Sequence, residues 1–178
     1  MFRAIRRLGA KFFRREDGTA SVEFVMAVPV LLLVFVSSFE NGLLMTRSIM
    51  LDQAVERTMR ELRLGRLTNP TPASLKSEIC SRTVILHDCS TALTLEMVRI
   101  NTTSWNLPAT AITCQDRSQA VVPVTTLDIG QQNDVMLLRA CIAQDAIFPT
   151  VGLGMLLPKD GNGGYYLTSV ATFVTEPR

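Results

Sequence analysis

Four cysteines, a single histidine and two acids that flank an apolar run are the residues here with the most chemistry to offer. His87-Asp88-Cys89 sets a base, a carboxylate and a thiol side by side, the residue types of a cysteine hydrolase. Neighbours in a chain rarely share one catalytic face, and triad members come from separate parts of a sequence. A disulfide at Cys89 would also remove the nucleophile. Cys80, Cys89, Cys114 and Cys141 form no C-x-x-C pair, and His87 is the only imidazole, so the donor set suits zinc poorly. Lys159–Gly164, KDGNGG, is turn chemistry: it lacks the Gly-Lys-Ser/Thr of a phosphate-binding loop, and its one aspartate does not make a calcium site. We expect no enzyme, no cofactor and no metal. The chemistry left to the cysteines is disulfide formation. Of the three possible pairings, Cys80–Cys89 with Cys114–Cys141 is preferred, because a short loop joins a helix end to the first strand.

The second constellation is Gly18 and Glu23. Arg3, Arg6, Arg7, Lys11, Arg14 and Arg15 outnumber Glu16 and Asp17 by four, so the rest of the chain carries a net −2 against the +2 of the whole. Then Phe24–Phe39, FVMAVPVLLLVFVSSF, runs without a charge. As a helix it spans about 24 Å, short of a hydrocarbon core of about 30 Å, but a helix from Ala20 to Thr46 would cross. A buried core helix is hard to place in so small a chain. A cleaved secretory signal would need a small-x-small site after the run, where Glu40 and Asn41 stand instead. A single-pass anchor fits best, with the basic residues in the cytoplasm and the C-terminal part outside. The cysteines then lie in an oxidising compartment, where disulfides persist.

An acid at the rim of such a helix needs a reason, because intramembrane carboxylates are costly and usually paired. A basic leader, Gly18, four residues, Glu23 and a long apolar helix together resemble the processing site of type IV prepilins. The resemblance implies cutting between Gly18 and Thr19 by a membrane aspartyl peptidase. Thr19 becomes the first mature residue and Glu23 the fifth. The new α-amine is positive at neutral pH. In a bundle of such helices, Glu23 of one subunit can neutralise the Thr19 amine of the next and set their axial register.

Residues 14–63 resemble the TadE-like family of the tight-adherence (Tad, or Flp) pilus in more detail. The matching parts are Gly18, the VEF of Val22–Phe24, Pro29, Phe39-Glu40-Asn41-Gly42, and an Ala54-containing stretch that ends near Arg60. The C-terminal LTSVATFVTEPR is similar too. The resemblance implies a TadE or TadF minor pseudopilin that acts in pilus assembly or initiation for adhesion. Its partners would be the inner membrane, a prepilin peptidase, other pilin and pseudopilin subunits, and the assembly platform. It would sit in the inner membrane with a periplasmic C-terminal domain, or in the extracellular pilus. Pro29 breaks one helical hydrogen bond, which membrane helices tolerate; in a filament it could accommodate helix packing. Glu40 belongs to the family pattern and is most simply an interfacial acid. The competing reading is an uncleaved, membrane-anchored adaptor of the same machinery.

The elements that position these residues read as follows. Leu44, Ser48, Leu51, Val55, Met59 and Leu62 recur on one helical face, so the helix continues past the membrane. Glu56/Arg60 and Arg57/Glu61 are oppositely charged i, i+4 pairs. Gly65 and Asn69-Pro70-Thr71-Pro72 end it. Thr71 caps a short helix with Pro72 at its first position, reaching about Arg82, and Leu75, Ile79 and Val84–Leu86 face the core. Leu93–Val98, Asp134–Ala143 and Tyr165–Val174 read as strands. Val121–Leu127 would be a fourth, at an edge because of Pro123. Ile147–Pro158, IFPTVGLGMLLP, is apolar for a connection; it is either a loop tucked over the core or a patch for a membrane or partner. The sum is an α+β chain: a leader (1–18), a transmembrane helix with its amphipathic extension (19–66), and an exported domain with a short helix and a small antiparallel sheet (67–178).

Length and composition agree. At 178 residues, 47% hydrophobic and 19% charged, the chain is too apolar for disorder. A net charge of +2 is too small for the basic footprint of a nucleic-acid binder.

Overall fold

The computed structural model describes residues 19–67, 70–108, 110–120, 123 and 126–176. Gly18 and the basic leader lie outside the described residues. The first element is a single helix, α1 (Thr19–Arg63), of 45 residues and about 68 Å. Pro29 lies inside it without ending it. Its C-terminus is closed by Gly65 at φ 69°. Gly65 N donates to Leu62 O, and Arg66 N to Glu61 O, the paired bonds that satisfy the last carbonyls when a glycine turns left-handed.

Helix α2 (Pro72–Ser81) begins at a reciprocal cap: Ser74 N donates to Thr71 Oγ1 at 3.1 Å, and Thr71 N to Ser74 Oγ at 2.8 Å. Proline at its first position costs no hydrogen bond, since that N–H has no intrahelical acceptor. One turn of helix, α3 (Cys89–Ala92), leads into β1 (Thr94–Ile100). After a long connection come β2 (Val135–Asp145), a turn of helix α4 (Leu153–Leu156), and β3 (Gly164–Val174). The three strands form one antiparallel sheet in the order β1-β2-β3, so the expected α+β layout is the one found.

The sheet's pleat decides what it buries. Leu95 and Met97 of β1, Met136, Leu138, Ala140 and Ile142 of β2, and Tyr165 and Leu167 of β3 share one face. Against it pack Leu51, Ala54, Val55, Met59 and Leu62 of α1, with Leu75 and Ile79 of α2 beside them. The predicted helical stripe is therefore the core side of α1. The opposite face carries Arg139, which pairs with Glu96 across the β1–β2 register and donates to Thr110 O. Two disulfides tie irregular segments to this frame, in the preferred pairing: Cys80–Cys89 joins the end of α2 to α3, and Cys114–Cys141 fixes the long connection to the middle of β2.

Four expectations change. Val84 is 86% exposed, and only Leu86 of that trio is fully buried, because the segment is a chain of turns rather than a continuation of α2. Residues 121, 122, 124 and 125 of the fourth predicted strand lie outside the described residues; of the remainder, Leu127 makes a single parallel bridge to Met97. The two i, i+4 ion pairs do not form. Glu61 instead bonds Arg66, which the glycine turn brings back over the helix end, and Arg63 reaches Glu176. Ile147–Pro158 is tucked in only in part: Leu157 packs against the core and Gly154 is buried, while Ile147, Met155 and Leu156 stand 50%, 58% and 76% exposed.

Candidate membrane anchor and the clamp that seats the head

The first half of α1 stands clear of the rest of the chain except near its end, where Ser37 lies against Gly152. Its most apolar 18-residue window has a mean hydropathy of 2.3 and none of it is buried inside the protein. Val22, Phe24, Met26, Leu31 and Phe35 are all more than half exposed. From Ala20 to Phe39 the helix rises about 30 Å, the thickness of a bilayer's hydrocarbon core. The Ser38 hydroxyl is satisfied within the helix: its Oγ donates to Val34 O at 2.8 Å, one turn back. By length and composition this helix can span a membrane, as a single-pass anchor.

Of the residues singled out for processing and register, Gly18 is not described and Thr19 begins the helix. Glu23 and Pro29 are exposed on the bare half.

Glu40 is different. It is fully buried, covered by the rest of the chain. Its carboxylate accepts from Ile147 N at 3.2–3.3 Å and from Phe148 N at 3.2 Å. Two turns further on, Arg47 is also buried. Its Nη1 donates to Asp145 O and to Tyr165 Oη, each at 2.7 Å, and its guanidinium carbon lies 5.9 Å from the centre of the Tyr165 ring, within range of a cation–π attraction. Seven residues on an α-helix return nearly to the same face. Glu40 and Arg47 therefore grip one short stretch, Asp145–Phe148, from below and above. The acid takes its N–H groups and the base takes its carbonyl. A buried charge without such partners would cost several kcal/mol; with them the two define where the head sits along the helix.

The end of β2 is held from its other side as well. Arg117 donates to Asp145 Oδ1 at 2.5 Å and to Asp160 Oδ2 at 2.6 Å. Asp160, its side chain fully buried, also accepts from Gly164 N at 2.7 Å and Asn162 N at 3.1 Å. Burial pushes the Asp160 carboxyl up, but the bonds from Arg117 and Gly164 outweigh it and hold the group below its ordinary value. The carboxylates of Asp160 and Asp145 raise Arg117 further. The KDGNGG turn is thus a structural knot whose aspartate serves its own backbone.

The stripe read from the sequence omits Arg47. The signal was available: Arg47 stands seven residues after Glu40 and four before Leu51, on the stripe itself. His87, by contrast, is exposed. Its backbone N–H and carbonyl pair with the side chain of Gln144, and Cys89 is in a disulfide, so the hydrolase constellation is not assembled. Among the described residues no group of three or more His, Cys, Asp or Glu is placed to hold a metal.

No curated protein and no solved structure matches the chain. The family model described as TadE-like protein matches residues 18–60, from the predicted processing glycine through the bare half of α1, Glu40 and Arg47 to the last turns of the packed half. Over that segment the chain is similar to TadE-like proteins.

Proposed function

We propose that the protein is a minor pilin or pseudopilin of the Tad pilus, cut between Gly18 and Thr19 and active in pilus assembly or initiation for adhesion. One observation carries the reading: the TadE-like match begins at Gly18, and directly after it stands a helix whose apolar half has no partner in its own chain. Such a helix needs lipid before assembly, and it fits the apolar helices of other subunits afterwards. The head follows from the α1 stripe onward and projects outside the inner membrane, in the periplasm, where its disulfides persist.

In this scheme the leader holds residues 1–18 on the cytoplasmic side. Removing it frees the Thr19 amine as a cation, and Glu23, one turn along and unpaired within the described chain, is the acid that meets such an amine on a neighbour. Pairing removes two charges from an apolar bundle at once and fixes the stagger of adjacent helices. The partners are a prepilin peptidase, other pilin and pseudopilin subunits and the assembly platform. The size of the head favours a minor component over a major one.

Mass spectrometry of the chain purified from membranes tests this. We expect a mature N-terminus at Thr19; an intact N-terminal leader sinks the proposal. Gly18→Ala should hinder cleavage, whereas Glu23→Ala should leave cleavage intact and abolish incorporation into pili. Normal pili from both variants would refute the scheme.

A further inference from the structure

We infer that the apolar segment between β2 and β3, Ile147–Leu156, is a membrane foot: it inserts its exposed side chains into the head-side leaflet of the bilayer that α1 crosses. The inference rests on reading α1 as a membrane span, and not on cleavage of the leader.

The argument is one of height. The head packs along α1 from Leu62 down to Glu40, and this segment reaches lower still. Gly152, at φ 59°, lies so close to the helix that a Cβ there would fall 2.2 Å from Ser37 Oγ. Ser37 is inside the uncharged run, about 27 Å along the helix from Thr19 and so within a hydrocarbon core of about 30 Å or at its edge. Two uncharged stretches from distant parts of the sequence thus meet at one level. Side chains of the foot stand free there, Leu156 at 76%, Met155 at 58%, Ile147 at 50% and Val151 at 40% exposure. On a surface facing water they would be an apolar patch without purpose; at the lipid boundary they continue the apolar surface of α1 sideways.

The polar groups at that level are consistent with lipid. The one acid of α1 at this height, Glu40, is sealed off, and the amides that seal it belong to the foot. The first charge after the foot is Lys159, whose Nζ donates to Pro149 O at 2.6 Å, the place for a cation at headgroup level with its stem along apolar surface. Shallow insertion of about 5–10 Å suffices, which leaves the backbone groups of the loop within reach of interfacial water.

The test uses tryptophan reporters in the full chain reconstituted into phosphatidylcholine–phosphatidylglycerol vesicles with and without brominated acyl chains. The native Trp105, 61% exposed, follows the far end of β1 and serves as the control away from the membrane. In a Trp105→Phe background, Leu156→Trp and Val151→Trp should emit at shorter wavelength and be quenched by bromolipid several-fold more strongly than Trp105. Leu32→Trp reports on the span by itself. Quenching in Leu32→Trp with none in Val151→Trp or Leu156→Trp overturns the foot alone; quenching in none of the three overturns the span as well. Blue-shifted emission from Leu156→Trp that bromolipid does not quench means a second copy covers the patch, and this too overturns the inference.

Discussion

Ala20–Phe39 and Glu40–Leu62 are successive halves of one helix, yet they live in different solvents. In the first half apolar side chains occur all round the axis and are exposed, as Phe24 at 68% and Phe35 at 69% show. In the second they form one stripe, with Leu51 and Val55 at 0% exposure and arginines and glutamates on the rest. A helix greasy on every side cannot be covered by one sheet; it needs an environment that surrounds it. A striped helix needs only a partner surface, and here the sheet supplies it. The boundary falls at Glu40 and Arg47, where two buried charges hold the head to the spine.

The comparison breaks if the two halves respond alike to truncation. Leu51→Ala should remove about 2–5 kcal/mol from the stability of the head through lost contacts and a residual cavity. Leu32→Ala should leave the head within about 0.5 kcal/mol of the parent, because its side chain meets no other part of the protein. Denaturant unfolding of the full chain in detergent micelles, followed by Trp105 fluorescence, measures both. Equal losses would mean that the bare half contributes to the fold of the head.

A smaller effect sharpens the boundary itself. Glu40→Ala strands the amides of Ile147 and Phe148 and should cost about 1–3 kcal/mol. Glu40→Gln keeps an acceptor oxygen and should recover most of the loss. Hydrogen exchange at these two amides is the direct readout, with protection lost in the alanine variant and retained in glutamine. Unchanged protection in Glu40→Ala would remove the clamp from the account.

What the sequence made legible follows from how local each cause is. The α1 stripe, the Thr71 cap, the Gly65 stop and the last strand are written in spacings of a few residues, and all stand as read. The bounds of the strands shift by one or two positions, because sheet pairing rather than propensity decides where a ladder stops: β2 runs on to Asp145 since Gly164 is there to pair with it. The placement of Thr110 and Cys114 in the long connection was opaque, because distant groups hold them, Arg139 and Cys141 of β2. The burial of Glu40 was opaque for the same reason. An acid beside an apolar run looks interfacial until the residues that bury it, more than a hundred positions away, are brought to it. The exposed foot could be named in sequence only as one of two alternatives, since apolar composition does not say which side of a loop faces out.

The weakest expected effect lies at the far end of the packed half. Arg63 bonds Glu176 through Nη2 at 2.7 Å and Nε at 2.8 Å, with side chains 52% and 45% exposed. This contact ties the C-terminal tail beyond β3 to the last turn of α1, as the Glu40–Arg47 clamp ties β2 to its middle. The two attachments differ in solvent. Water and salt screen the outer pair, so Arg63→Ala should cost only about 0.2–1 kcal/mol. That cost should vanish near 1 M salt, where the screening length falls to about 3 Å, while the cost of Glu40→Ala should persist. If unfolding in high salt still shows a penalty above about 1 kcal/mol for Arg63→Ala, the head is held at both ends, and Glu40 is no longer its principal point of attachment. The expected result is a head fixed firmly at Glu40 and Arg47 and loosely at its tip, so that rigid coupling to the spine is concentrated next to the bare half of α1.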